Sequence, residues 1–175
     1  MERIGDITGI ISLLFLAEQD FRLRKISGGL LILFLTGIIV AFLSHNHPGS
    51  ILYFFPLNLG FLFFQFVFLW GWFRLKNKKH TPLINTMIGI GDILFFICMA
   101  AMFSPGNFIV VFVGDMIFAL LVTLAVKTIL KKNIFEIPLA GLLSIPLIGL
   151  CVLRLVNPSL DFYDDNRLVS FFETF

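Results

Sequence analysis

Charge is what this sequence has least of. Only 14% of its 175 residues are Asp, Glu, Lys or Arg, against roughly a quarter in an ordinary soluble domain, which argues against a water-solvated fold. Cysteine is nearly absent too. Cys98 and Cys151 lie in separate apolar runs and form no CxxC, so no disulfide framework can be read; free cysteine packs as a small hydrophobe. There is no Walker loop, no GxGxxG, no GxSxG, no HExxH and no CxxCH, so no motif for nucleotide, hydrolase-nucleophile, zinc or haem chemistry presents itself, and no cofactor is expected. The last apolar run holds no lysine, which removes a retinal Schiff base. A cleavable signal peptide is not expected either, because the start lacks a cationic region and "AEQD" is a poor cleavage site.

What the chain has is hydrocarbon. It is 58% hydrophobic with 23 phenylalanines, and its mean hydropathy is +0.98. The apolar residues fall in long runs, and a helix needs about 20 of them to cross ~30 Å of bilayer core. Five runs qualify, at residues 26–44, 51–73, 82–103, 107–130 and 134–153. They predict an all-α transmembrane bundle of five spans, since a bare backbone in lipid pairs only within a helix or a closed barrel and no run alternates as a barrel strand does. Residues 1–25 contain an apolar stretch too short to span. Ile4, Ile7, Ile11, Leu14 and Phe15 share one helical face there, which predicts an interfacial amphipathic helix. Residues 157–175 are expected to form an acidic tail outside the membrane. Pro138 and Pro146 predict kinks in the fifth span.

The few cations are placed with a pattern. Arg22, Arg24 and Lys25 precede the first span, Arg74, Lys76, Lys78 and Lys79 follow the second, and Lys127, Lys131 and Lys132 end the fourth. The connections 45–50 and 104–106 carry none. By the positive-inside rule this predicts a bacterial inner-membrane protein with its N-terminus cytoplasmic and its C-terminus outside, and Trp70 and Trp72 mark the cytoplasmic boundary of span two.

Against that background two carboxylates stand out, in "GIGDILFF" and "FVGDMIFA". A carboxylate at the bilayer centre costs about 2.5–3.5 kcal/mol on insertion scales. A three-residue turn joins spans three and four, and residue counting brings Asp92 and Asp115 to one depth near the midplane, so an Asp–Asp contact is expected. Its structural reading is a protonated fastening between helices. Its functional reading is a proton- or cation-binding pair that titrates as a unit. Asn58, Gln65 and Asn85 add a polar seam, by heptad spacing, through spans two and three. His45 and His47 could give two metal ligands, but no nearby Cys or carboxylate completes a set, so no metal is expected.

Residues 57–132 carry a family resemblance, in "WGWFRLKNKKHTPL", "GIGDILFF" and "VGDMIFALL". These stretches resemble a group of small bacterial inner-membrane proteins with a DoxX-like four-helix layout, in which Gly114, Asp115, Phe118 and Ala119 match a Gly-Asp motif. Where that group often has lysine in the third span, this chain has Asp92. The resemblance implies the helical layout and no particular chemistry. The reading favoured by the residues is a non-enzymatic membrane component, with the lipid bilayer as its surroundings, a second copy or another membrane protein as partner, and no nucleic acid. A small proton- or cation-linked transporter and an accessory subunit of a membrane redox system are the alternatives.

Overall fold

The computed structural model describes residues 2–43, 50–76, 89–130, 138–157 and 160–165. Six helices account for nearly all of them: α1 (Glu2–Leu23), α2 (Gly28–Leu43), α3 (Ser50–Lys76), α4 (Ile90–Ala100), α5 (Pro105–Leu130) and α6 (Leu139–Val156). Each of the five expected spans overlaps one of α2 to α6, though only α2 and α4 lie wholly within theirs. Three windows, Leu52–Leu75, Pro105–Ile129 and Leu139–Val156, are long and apolar enough to cross a membrane, whereas α2 and α4 are shorter apolar helices. Pro138 stands at the N-cap of α6 and not within it, so only Pro146 lies inside that helix.

The largest departure from expectation is α1. It packs most extensively on α2 and α6 and runs antiparallel to both. At one end Asp6 meets Arg154, and at the other Asp20 meets Gly141. Contacts fourteen residues apart on α1 and thirteen apart on α6 mean that α1 lies along the bundle, which is not the disposition of an interfacial helix. The expected apolar face is real, but it points outward: Ile4, Ile7, Ile11, Leu14 and Phe15 are all exposed, while Gly5, Asp6, Ser12 and Asp20 face the core. The inward side mixes those small and polar residues with Leu13, Leu16 and Ala17, so α1 is not amphipathic in the manner of an interfacial helix. One consequence concerns the two ends of the chain. The start of α1 and the end of α6 lie at the same end of the bundle, so the expected placement of the termini on opposite sides of a membrane does not follow from this fold.

Small residues let α1 and α2 meet. A side chain at Gly37 would come within 2.9 Å of the Gly9 nitrogen and 3.1 Å of the Gly5 oxygen, and one at Gly5 would collide with the Ala41 backbone. This is the close backbone approach that Gly-xxx-Gly spacing permits between helices in lipid. Between these helices and α4 lies the core of Leu13, Leu16, Phe34, Ile38, Phe95, Met99, Leu143 and Leu147. Helices α3 and α5 attach at the periphery through a run of rings, Phe61–Phe108, Phe61–Phe112, Phe66–Phe96 and Phe96–Phe112, with centroids 5.5–6.2 Å apart. The spans within them are 11% buried, so most of their hydrocarbon faces outward.

Every helix reverses direction on its predecessor, and the bundle has two unlike ends. Arg24, Lys25, Arg74 and Lys127 stand at one, which we term the basic end. The α4–α5 turn and the segment 160–165 share the other, where the Asp165 carboxylate caps α5 by accepting the N–H groups of Gly106 at 3.1 Å and Asn107 at 3.0 Å.

The glycine contact makes a distinguishing prediction. Gly5→Ala drives a methyl into Ala41 and is expected to cost about 1–3 kcal/mol as an overpacking change. Gly9→Ala meets nothing within 4 Å and is expected to be neutral or slightly stabilising, by helix propensity. Reversible unfolding of both variants in mixed micelles measures the difference, and equal losses would refute the packing described.

Candidate functional site

The carboxylates do pair, but not as the sequence leads one to expect. Helices α4 and α5 part after their turn and make few contacts with each other. Counting from the Phe96–Phe112 ring pair, Asp92 lies four residues along α4 and Asp115 three along α5 in the same direction, about 6 and 4.5 Å respectively. The shared level therefore holds, but the contact does not form. Asp115 is buried, and its Oδ2 has no hydrogen-bond partner among the described residues. Asp92 faces a different acid, Asp20 on α1, whose charge reaches it.

Each member of this second pair is placed by local chemistry. Asp92 is the third residue of α4. The extended backbone of Gly89 (φ −71°, ψ 148°) starts the helix, and the Asp92 carboxylate folds back to accept the Gly89 N–H at 3.2 Å. This is the carboxylate half of a capping box, at a helix end where negative charge is favoured. Gly91 matters for space, because a side chain there would stand 3.0 Å from Ile26 Cβ. Asp20 sits in the last turn of α1 and is 5% exposed. Its Oδ2 accepts the N–H of Gly141 in the first turn of α6 at 2.7 Å. Asp20 and Asp92, two acids from distant stretches of chain, thus open on one cleft beside the head of a third helix.

The chain turns sharply beside them. Arg24 adopts a left-handed backbone (φ 51°), and its N–H closes on the Asp20 carbonyl at 3.0 Å. That is a C-terminal stop usually given to glycine; in a residue with a Cβ it is strained by about 1–2 kcal/mol. The turn is completed by Ser27, whose N–H donates to Gln19 at 3.0 Å. It sets Arg24 and Lys25 beside the acids, and the charge of Arg24 acts on Asp20.

Between these groups opens a cleft of about 340 Å³, lined on one side by Asp20, Arg24, Lys25 and Ile26 and on the other by Gly89, Ile90, Gly91 and Asp92. It falls in the range of small-ligand pockets. Phe66 packs on Phe96, and one turn further along α3 comes Trp70, with Arg74 stacked on it at 5.0 Å. Asp92 is one turn from Phe96 in the same direction. The cleft is therefore level with an aromatic-basic boundary and not with the middle of the apolar layer.

The remaining polar residues are structural. The Asn58 amide donates to the carbonyls of Ala100 and Phe103, each at 2.8 Å, and closes the C-terminal end of α4. Gln65 is exposed, so no seam joins it to Asn58. Asn85, His45 and His47 lie outside the described residues. At the far end, Asp6 and Arg154 form a buried ion pair at 3.2 Å. The guanidinium also lies over Phe162 and Tyr163, at 5.0 and 5.3 Å, and burial pushes the Tyr163 phenol up to about 12. The free space there is about 10 Å³, at most one water molecule. No group of three His, Cys, Asp or Glu side chains suited to a metal ion occurs among the described residues. Sequence reasoning missed Asp6, Asp20, Arg154 and Asp165. For the first two a signal existed in the small, polar stripe Gly5, Asp6, Gly9, Ser12 and Asp20, opposite an apolar face.

Cross-linking tests the pairing. In a chain with Cys98 and Cys151 replaced by serine, cysteines at 20 and 92 are expected to join through a short bifunctional thiol reagent, and cysteines at 92 and 115 are not. The opposite outcome, read as a mobility shift on gels, would restore the contact expected from sequence. No family model, curated protein or solved structure matches this chain.

Proposed function

We propose that the protein is a membrane-embedded hydrolase of the two-aspartate kind, cutting a peptide bond at the membrane boundary with Asp20 and Asp92. One observation carries the reading: carboxylates from two helices, far apart in sequence, open together on a cleft of about 340 Å³. A purely structural role would need the acids only as caps and gives no reason for the open space beside them. Two adjacent carboxylates cannot both ionise cheaply, so such a pair holds one shared proton and offers an acid and a base at once.

The chemistry then balances without a cofactor. The ionised carboxylate removes a proton from water as the water oxygen bonds to the carbonyl carbon, and the protonated carboxyl gives its proton to the carbonyl oxygen. Collapse of the tetrahedral diol returns one hydroxyl proton to the second carboxylate. The first delivers its proton to the departing nitrogen, and the C–N bond breaks to leave an acid and an amine. Ile26 and Ile90 give the cleft an apolar edge. An apolar, membrane-bound polypeptide fits such a rim better than a sugar does.

In this reading the protein is a multi-pass protein of a bacterial inner membrane with the basic end, and so the cleft, at the cytoplasmic face. The start of α1 and the segment 160–165 then both face outward. The placement of α1 along the bundle supports this even-numbered crossing. Cysteines at 3 and 164 are expected to react alike with an impermeant maleimide added outside, and reaction at one position only would refute the arrangement.

For the chemistry, N-terminal peptide mapping of membranes from cells expressing wild type, Asp20→Asn or Asp92→Asn is the direct test. New N-termini generated by wild type are expected to fall at least about 100-fold with either variant, since each removes one of the two proton-transfer roles. Purified enzyme should cleave the mapped peptides with a bell-shaped pH dependence. Cleavage that survives both substitutions would end the proposal.

A further inference from the structure

We propose that the first turn of α6 is the third part of this site: the N–H of Gly141 positions the Asp20 carboxylate, and glycine at residue 141 leaves the space in which Asp20 reaches that donor. This rests on the acid-pair reading and adds a residue that touches no reacting atom.

The opening N–H groups of a helix have no partner within it. At α6 the N-cap is Pro138, which makes no side-chain cap bond. The Gly141 donor is satisfied instead from another helix, by Asp20 of α1 at 2.7 Å. An amide in the first turn of a helix is a rigid donor, so it fixes the Asp20 carboxylate where it lines the cleft shared with Asp92. It also lies at the positive end of the helix dipole, which favours retention of one negative charge between the two acids.

Space at residue 141 is the other half of the argument. A Cβ there would stand 3.2 Å from Asp20 Oδ2, 3.3 Å from Asp20 Cβ and 3.3 Å from Phe21 Cε2. Asp20 would have to retreat by a few tenths of an ångström, stretching the bond from Gly141 and changing its distance to Asp92. Gly149, on the same helix, is a built-in comparison, since an added Cβ meets nothing within 4 Å. Among the described residues, the charged groups facing the pair are Arg24 and Lys25 from the α1–α2 connection, and both remain in every variant below.

The wild-type protein itself supplies the readout. With 14 glycines, selective ¹⁵N-glycine labelling of the full chain in lipid nanodiscs gives a sparse amide spectrum, in which Gly141 is identified by its loss in Gly141→Ala. Its amide proton is expected far downfield and to move in two steps as pH is varied. It should move in one step in Asp92→Asn and stay still in Asp20→Asn. Gly141→Ala is expected to shift the midpoint of peptide cleavage by about one pH unit, by loss of a bond to the charged form, while Gly149→Ala leaves it in place. A Gly141 amide indifferent to pH, or equally responsive in Asp20→Asn, overturns the proposal even if Gly141→Ala fails to fold. Because the amide reports protonation and not turnover, a chain that titrates as described yet cleaves nothing sinks the hydrolase reading alone.

Discussion

A helix begins with amide donors that nothing inside it can satisfy, and in an apolar layer water is not at hand to help. At the head of α6 the Gly141 donor is met by a carboxylate from α1. The same need recurs through the bundle. Asn58 closes the end of α4, Asp165 the start of α5, and Asp6 neutralises Arg154 between α1 and α6. Each polar bond ties parts of the chain more than 40 residues apart, so the hydrogen bonds that satisfy helix ends also hold the bundle together. An apolar core alone would not select this arrangement, because lipid chains solvate Leu and Phe as well as other side chains do.

This division of labour explains the shape. Where helices carry polar or small inward stripes, as α1, α2 and α6 do, they pack closely. Helices α3 and α5 carry phenylalanine and leucine on nearly every side and rest on the others through rings. A long apolar surface is what bilayer requires, and it gives little instruction about neighbours. The cleft forms where the instructive and uninstructive parts diverge, beside the short helix α4 and the strained turn at Arg24.

Residue patterns made much of this legible. The apolar runs located α2 to α6, the cations identified one end, and Trp70 identified its level. The Gly-Asp pattern at residues 91 and 92 is unusual in an apolar run, and its carboxylate lines a cleft shared with another. Its partner is not legible because depth along the helices can be counted and azimuth cannot: Asp92 and Asp115 share a level but look toward different helices. Asp20 escaped notice since "EQDFRLRK" reads as an ordinary solvated run of charge, and its burial is decided by Gly141, 121 residues away. The same long separation hid Asp6 with Arg154 and Ser104 with Asp165.

The meeting of Asp6 with Arg154, and of Arg154 with Tyr163, brings the opening turn of the first helix beside the segment that follows the last one. A short linker could bridge that gap without crossing the apolar layer. Such a ring-closed gene, reopened at the connection between α2 and α3, would begin with the ring-packed outer helices α3 and α5, with α4 between them, and end with the tightly packed trio α6, α1 and α2. The order of synthesis and insertion could thus be changed while every buried bond described above keeps its partner.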